Sequence, residues 1–176
     1  MTVFYSLLVS TLMNILTIVD FKTDSSMDNW FVVNDGVMGG LSQGSFEFNA
    51  EGYATFKGTI SLDNYGGFSS IRYRSDQMDV SSYSKIAIRL KGDAKKYQLR
   101  LKTSSRDYYS YVTEFKTSGS WETIIIDLNA LYPSFRGQEL RKPNFPTKTI
   151  GELGFLFGNK KVESFELNIE QIFLLK

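Results

Sequence analysis

Apolar and polar side chains alternate with a period of two along most of this chain, the pattern of strands that bury one face and wet the other. The alternation is strict from Tyr97 to Lys102, where Tyr97, Leu99 and Leu101 oppose Gln98, Arg100 and Lys102. The preceding segment repeats it with Ile86, Ile88 and Leu90 inward. Tyr109, Tyr111, Thr113 and Phe115 share a face of the next strand, and Trp121, Thr123 and Ile125 share one of the strand after it. Phe165, Leu167 and Ile169 alternate with Glu166, Asn168 and Glu170. Two runs are continuously apolar, Ile124, Ile125, Ile126 and Phe155, Leu156, Phe157; these predict strands covered on both sides.

Turn-forming residues separate the runs: Asn49 and Gly52, Asn64 with Gly66 and Gly67, Gly92 and Asp93, Ser118 and Gly119, and Gly158 with Asn159. The best helical candidate is a single turn around Asn129, Ala130, Leu131 and Tyr132, stopped by Pro133. With roughly nine to eleven short strands and one short helix at most, the pattern predicts an all-β, antiparallel jelly-roll sandwich, with an up-and-down barrel as the alternative. Residues 132–149 hold all three prolines, Pro133, Pro143 and Pro146. They predict a crossover loop at one end of the sandwich, since a central strand rejects proline.

The 176 residues suit a single domain, with the jelly roll over about residues 15–174. Residues 1–19 carry no charged side chain. Thr17 to Phe21 read as a strand entering the fold, and residues 1–14 as an N-terminal extension, an edge strand or a membrane anchor; a start at Met13 is a further alternative. The expected location is accordingly cytoplasmic or membrane-peripheral.

Lys and Arg total 20 against 19 Asp and Glu, a net charge of +1, which provides no field for nonspecific nucleic-acid binding. The chain has no His and no Cys. Imidazole general bases, Ser-His-Asp triads, thiol nucleophiles, zinc knuckles and disulfides are therefore excluded. Carboxylates, Lys, Arg, Tyr, Ser and Thr remain, and no cofactor or metal is expected.

Three segments have unusual composition. Residues 30–44 contain Trp30, Asn34, Asp35, Gly36, Met38, Gly39, Gly40, Ser42 and Gly44. Glycines at this density let the backbone approach another group closely or take positive φ. The segment lacks the Lys of a phosphate loop, and its lone carboxylate is few for calcium. Asp35 is either a ligand residue or a clip on local backbone amides. In the second segment, a strand starting near Gly67 places Ser70, Arg72 and Arg74 on one face, opposite Ile71 and Tyr73. Two guanidiniums in line bind a carboxylate, phosphate or sugar, or else pair with Asp35, Asp76 or Asp127. In the third, Arg136 precedes Gly137, where it reaches into a cleft or caps an edge loop. Alternation also points Tyr108 and Ser110 away from Tyr109 and Tyr111; an exposed Tyr108 suits stacking on a sugar or a protein.

Residues Trp30, Asn34, Asp35, Gly36, Val37, Met38, Gly39, Gly40, Leu41 and Ser42 resemble the signature of the complex I intermediate-associated protein 30 family. Phe56 to Gly58, Gly66 to Phe68, Ile71 with Arg72, Phe135 to Gly137, residues 150–155, Phe165 to Ile169 and Ile172 match the family's later pattern in order, so the resemblance covers about residues 15–174. It implies a galactose-binding-like jelly roll and a non-catalytic assembly factor for respiratory complex I acting through protein contacts. The segment 1–19 contains no Arg of a mitochondrial transit peptide, so the likeness is to a stand-alone, bacterial form of the domain.

The leading expectation is thus a protein-binding module, its partners respiratory-complex subunits, with a carbohydrate-binding module as the alternative. The candidate binding residues are Trp30, Asp35, Met38, Ser42, Arg72, Arg74, Tyr108 and Arg136. No catalytic residues are expected; a carboxylate-dependent glycosidase would need Asp35 to face Asp127 or Glu139.

Overall fold

The computed structural model describes residues 14–176. The reading of residues 1–13 as extension or anchor lies outside the described residues, as do the side chains of Val37 and Met38. Thirteen strands follow in chain order: β1 (Ile15–Asp20), β2 (Trp30–Asn34), β3 (Gln43–Asn49), β4 (Tyr53–Ile60) and β5 (Ser69–Asp79). Next come β6 (Lys85–Lys91), β7 (Lys96–Lys102), β8 (Ser110–Lys116) and β9 (Trp121–Asp127). The last are β10 (Tyr132–Phe135), β11 (Gln138–Glu139), β12 (Thr149–Phe157) and β13 (Glu163–Leu175). The fold is an all-β antiparallel jelly-roll sandwich, and the helical turn expected near Leu131 is a three-residue 3-10 turn, Leu128–Ala130.

One sheet has the order β3-β4-β13-β6-β9, with β1 also paired to β13; the other has the order β11-β10-β8-β7-β12-β5-β2. The inward side chains predicted by alternation meet between the layers: Ile86, Ile88, Leu90, Leu99, Leu101, Leu167 and Ile169 have no exposure. Aromatic rings join the sheets. Phe157 of β12 stacks on Phe165 of β13 at 4.5 Å, and Phe165 meets Phe56 edge-on at 4.7 Å. Tyr97, 5.0 Å from Phe157, is buried to its hydroxyl, which donates to Asp93 at 2.8 Å or the Glu166 carbonyl at 3.0 Å. Burial and the Asp93 carboxylate both raise the pKa of that phenol.

Two expectations change. Ile124–Ile126 is not covered on both sides: β9 is the sheet edge, and Ile125 is 56% exposed while Ile124 and Ile126 pack on the core. An apolar run alone does not distinguish a doubly covered strand from an edge strand with one apolar outward residue. Residues 132–149 are not wholly a loop, because β10 and β11 form a hairpin with Pro133 inside β10. The ladder tolerates this proline because its carbonyl points toward the short β11 side, accepting from Leu140 at 2.8 Å; its nitrogen points the same way, so no bond to β8 is lost.

Candidate binding site

The glycine-rich segment leaves β2 in a 3-10 turn, Asp35–Met38, and returns as β3. Asp35 is 2% exposed. Its Oδ1 accepts the Ser42 amide at 3.1 Å, and its Oδ2 accepts the amides of Gly67 at 2.6 Å and Phe68 at 3.3 Å. Burial pushes its carboxyl pKa up, but the Ser42 side chain and the Gly67, Phe68 and Ser42 amides outweigh burial and hold it below 3.8. Two glycines are required by the approach of the chain: a Cβ on Gly40 would lie 2.4 Å from Asp35 Cγ, and one on Gly66 would lie 2.6 Å from Oδ2. Asn34 is likewise engaged, its Oδ1 accepting the Ser69 hydroxyl at 2.7 Å. Ser42, 5% exposed, donates to the Ser61 carbonyl and accepts the Ser61 amide. The motif ties the start of β3 to the start of β5.

Trp30 begins β2 and packs among Phe46 at 4.7 Å, Tyr73 at 5.2 Å and Phe21 at 6.1 Å. With Tyr73, Asp20 and Asp24 it lines a cavity of about 200 Å³. Arg136 lies in the two-residue turn of the β10–β11 hairpin, with φ of +50° there and +78° at Gly137, the combination a type I′ turn requires. Its guanidinium covers the Phe135 ring at 5.3 Å. Asp35 and Arg136 sit at opposite edges of the seven-stranded sheet, five strand spacings or about 24 Å apart along it, so they do not share a cleft.

Tyr108 is 61% exposed and meets Tyr109 at 5.0 Å and Phe135 at 5.4 Å. The expected separation of Tyr108 from Tyr109 fails because β8 begins only at Ser110, and alternation does not extend into the bend before it. Lys142 Nζ lies 5.0 Å from the Tyr109 ring and 5.9 Å from Tyr108, giving this edge an aromatic and cationic character.

Arg72 and Arg74 do share the outer face of β5, as alternation required. Arg72, however, pairs with none of the aspartates expected. Its partner is Glu152 of β12 at 3.7 Å, which Lys102 also reaches at 3.6 Å. Register brings them together: Lys102 stands directly opposite Glu152, and Arg72, two residues along β5 from the Arg74 that faces Glu152, reaches it diagonally. Arg74 instead lays its guanidinium on the Phe31 ring at 4.5 Å. Arg100, outward on β7, donates to Gln98 Oε1 at 2.9 Å. Burial, then repulsion from Arg72, pushes its pKa down to about 10 against the opposing pull of Tyr132 and Glu152.

Alternation puts Arg100 and Lys102 on a wet face but carries no sign that Arg72 and Glu152 share it. Strand partners are set by topology, which local alternation does not encode. The carboxylates considered for glycosidase chemistry are dispersed: Asp35 and Glu139 occupy opposite sheet edges, while Asp127, on the other sheet, pairs with Lys85 at 3.7 Å.

Residues 19–169 match the family model described as complex I intermediate-associated protein 30. A mitochondrial complex I intermediate-associated protein 30 from Neurospora crassa is 26% identical over 140 residues, 68% of this chain and 50% of that protein; the chain therefore spans about half the length of this curated relative. Among solved structures, the family 11 carbohydrate-binding module of the cellulosomal cellulase Lic26A-Cel5E of Clostridium thermocellum superposes with a TM-score of 0.64 at 18% identity, over 91% of this chain and 93% of that one. The Clostridium thermocellum family 11 module in complex with a β-1,3-1,4-mixed-linked tetrasaccharide gives 0.61 at 16% identity, over 91% and 94%. At such identities the likeness is one of fold.

Proposed function

The chain belongs to the complex I intermediate-associated protein 30 family, and from that premise we propose that it is a non-catalytic binding module that assists assembly of a respiratory complex through protein contacts. The supporting observation is the continuous match over residues 19–169, which includes the glycine-rich knot built on Asp35. That knot uses its polar groups internally, so in this reading it braces the sandwich, and partners meet the exposed side chains around it. Absence of His and Cys and the dispersed carboxylates fit binding better than turnover. Affinity purification of the full chain from its native host tests the proposal. Recovery of respiratory-complex subunits supports it, and recovery of no stable protein partner overturns it.

A second reading, carbohydrate binding, is favoured by one specific observation. The exposed Tyr108 beside Phe135 forms an aromatic surface at a sheet edge, the kind of platform on which sugar rings stack. Calorimetry with mixed-linked β-glucan oligosaccharides at millimolar concentration decides this: heat lost on Tyr108→Ala supports a sugar site there, and no heat with the wild-type chain eliminates it.

A further inference from the structure

We infer that the outer face of the seven-stranded sheet binds a carboxylate from an acidic, extended protein segment, held by Arg72 and Arg100. This rests on the protein-binding reading above and specifies the chemistry of the partner.

Strand register lays the residues of this face in rows. One row runs Phe31, Arg72, Gly154, Arg100, Val112 and Tyr132, from β2 across to β10. The adjacent row runs Arg74, Glu152 and Lys102. In this second row a carboxylate stands between two cations, 7% exposed and paired with Lys102 at 3.6 Å and, diagonally, with Arg72 at 3.7 Å. In the first row the corresponding position is Gly154, which is buried and supplies no anion between the two arginines. A Cβ there would fall 3.3 Å from Arg72 Cγ and 2.6 Å from the Ile71 carbonyl. The Arg72 stem therefore packs over the glycine, close enough for its charge to act on Arg100.

The charges on this face do not balance. Arg72, Arg74, Arg100 and Lys102 meet Glu152 and Glu114, and Glu114 is drawn off toward Lys96 at 3.8 Å. Arg100 has a neutral acceptor, Gln98, as its hydrogen-bonding side chain among the described residues. A half-buried guanidinium beside another guanidinium is unfavourable until an anion arrives. The depressed pKa of Arg100 is consistent with that unmet charge.

A carboxylate fits better than a neutral sugar. Its two oxygens match the planar guanidinium fork. The Phe31 ring, the aromatic at this end of the row, is already covered by Arg74. Arg74 stands one row along the strand, about 7 Å away, and has no carboxylate partner among the described residues. An extended segment with Asp or Glu at alternate positions meets both rows, because its side chains repeat at the same spacing.

The test uses the full chain and three probes read by fluorescence anisotropy or competition: a labelled Glu-Ser repeat peptide, the same peptide with Gln for Glu, and oligogalacturonate. The Glu peptide is expected to bind and the Gln peptide to fail. Arg100→Gln should weaken Glu-peptide binding about tenfold or more. Arg100→Lys, which keeps the charge but not the fork, should show a smaller loss. Melting curves verify that both variants are folded; should Arg100→Gln unfold, Arg100→Lys alone decides the matter. Equal binding by wild type and variants overturns the inference, as does no binding of the Glu peptide. Tighter Arg100-dependent binding of oligogalacturonate also overturns it, by assigning the face to an acidic glycan. In native-host purification, recovery of the same partner by Arg100→Gln overturns this inference alone, whereas failure of the wild-type chain to recover any partner overturns the underlying reading.

Discussion

Asp35 and Gly67 are 32 residues apart in sequence, yet the Gly67 amide donates to Asp35 Oδ2 at 2.6 Å. One carboxylate thereby fixes the exit of β2, the entry of β3 and the entry of β5. Removing it leaves the amides of Ser42, Gly67 and Phe68 without their acceptor in a site that is 2% exposed. Asp35→Ala should cost roughly 1–3 kcal/mol and lower the melting temperature by several degrees. Denaturation and partner binding measured on the same variant separate bracing from contact: a structural clip predicts lost stability, whereas a contact residue predicts lost binding at unchanged stability.

The same carboxylate makes stability depend on pH. Its pKa is depressed in the folded protein, so the unfolded chain binds the proton more readily. The stabilisation is fully present above the unfolded value of about 3.8 and is lost as pH falls through the lower folded value. Asp79, whose carboxyl is held down by the Ser81 amide, contributes in the same direction. Urea denaturation from pH 6 down to pH 2.5 should show a steeper loss in wild type than in Asp35→Asn. Parallel curves would assign the acid sensitivity to Asp79 and other carboxylates.

Gly40 and Asp35 should be coupled energetically. The three atoms nearest a Cβ on Gly40 all belong to Asp35, the closest at 2.4 Å. Gly40→Ala should therefore destabilise by roughly 1–3 kcal/mol through overpacking. In an Asp35→Gly background all three obstructing atoms are absent, the Cβ at 2.9 Å included, and the same substitution should cost much less. A double-mutant cycle by chemical denaturation measures this coupling; additive effects would place the strain elsewhere in the turn.

Local features of the sequence encoded the layers well, because burial on one face of a strand imposes alternation directly. Ile86, Ile88, Leu90, Leu99 and Leu101 all lie inward where the pattern put them. The glycine-rich segment was legible as a place of close approach, since few other compositions allow it. What it approaches was not legible: the Gly67 and Phe68 amides that donate to Asp35 are distant in sequence, and only their position separates a clip from a ligand residue. The outer charged face was hidden for the same reason. Arg72, Glu152 and Lys102 become neighbours only through the β5-β12-β7 strand order, which joins segments about 30 to 80 residues apart.

The edge strand β9 provides a direct contrast between an apolar residue that packs and one that does not. Ile88 of β6 stands opposite Ile124 and has no exposure, while Ile125, one residue on, is 56% exposed on the outer face. Ile88→Ala should cost about 2–5 kcal/mol through lost burial and the cavity left behind. Ile125→Lys should fall within about 0.5 kcal/mol of wild type, since it removes little buried area and adds a charge to an edge that benefits from one. Thermal melts distinguish the two outcomes. A large loss at Ile125 would mean that this face of β9 is covered in solution by a second copy, and size-exclusion chromatography of the wild type and the variant would then identify an oligomer.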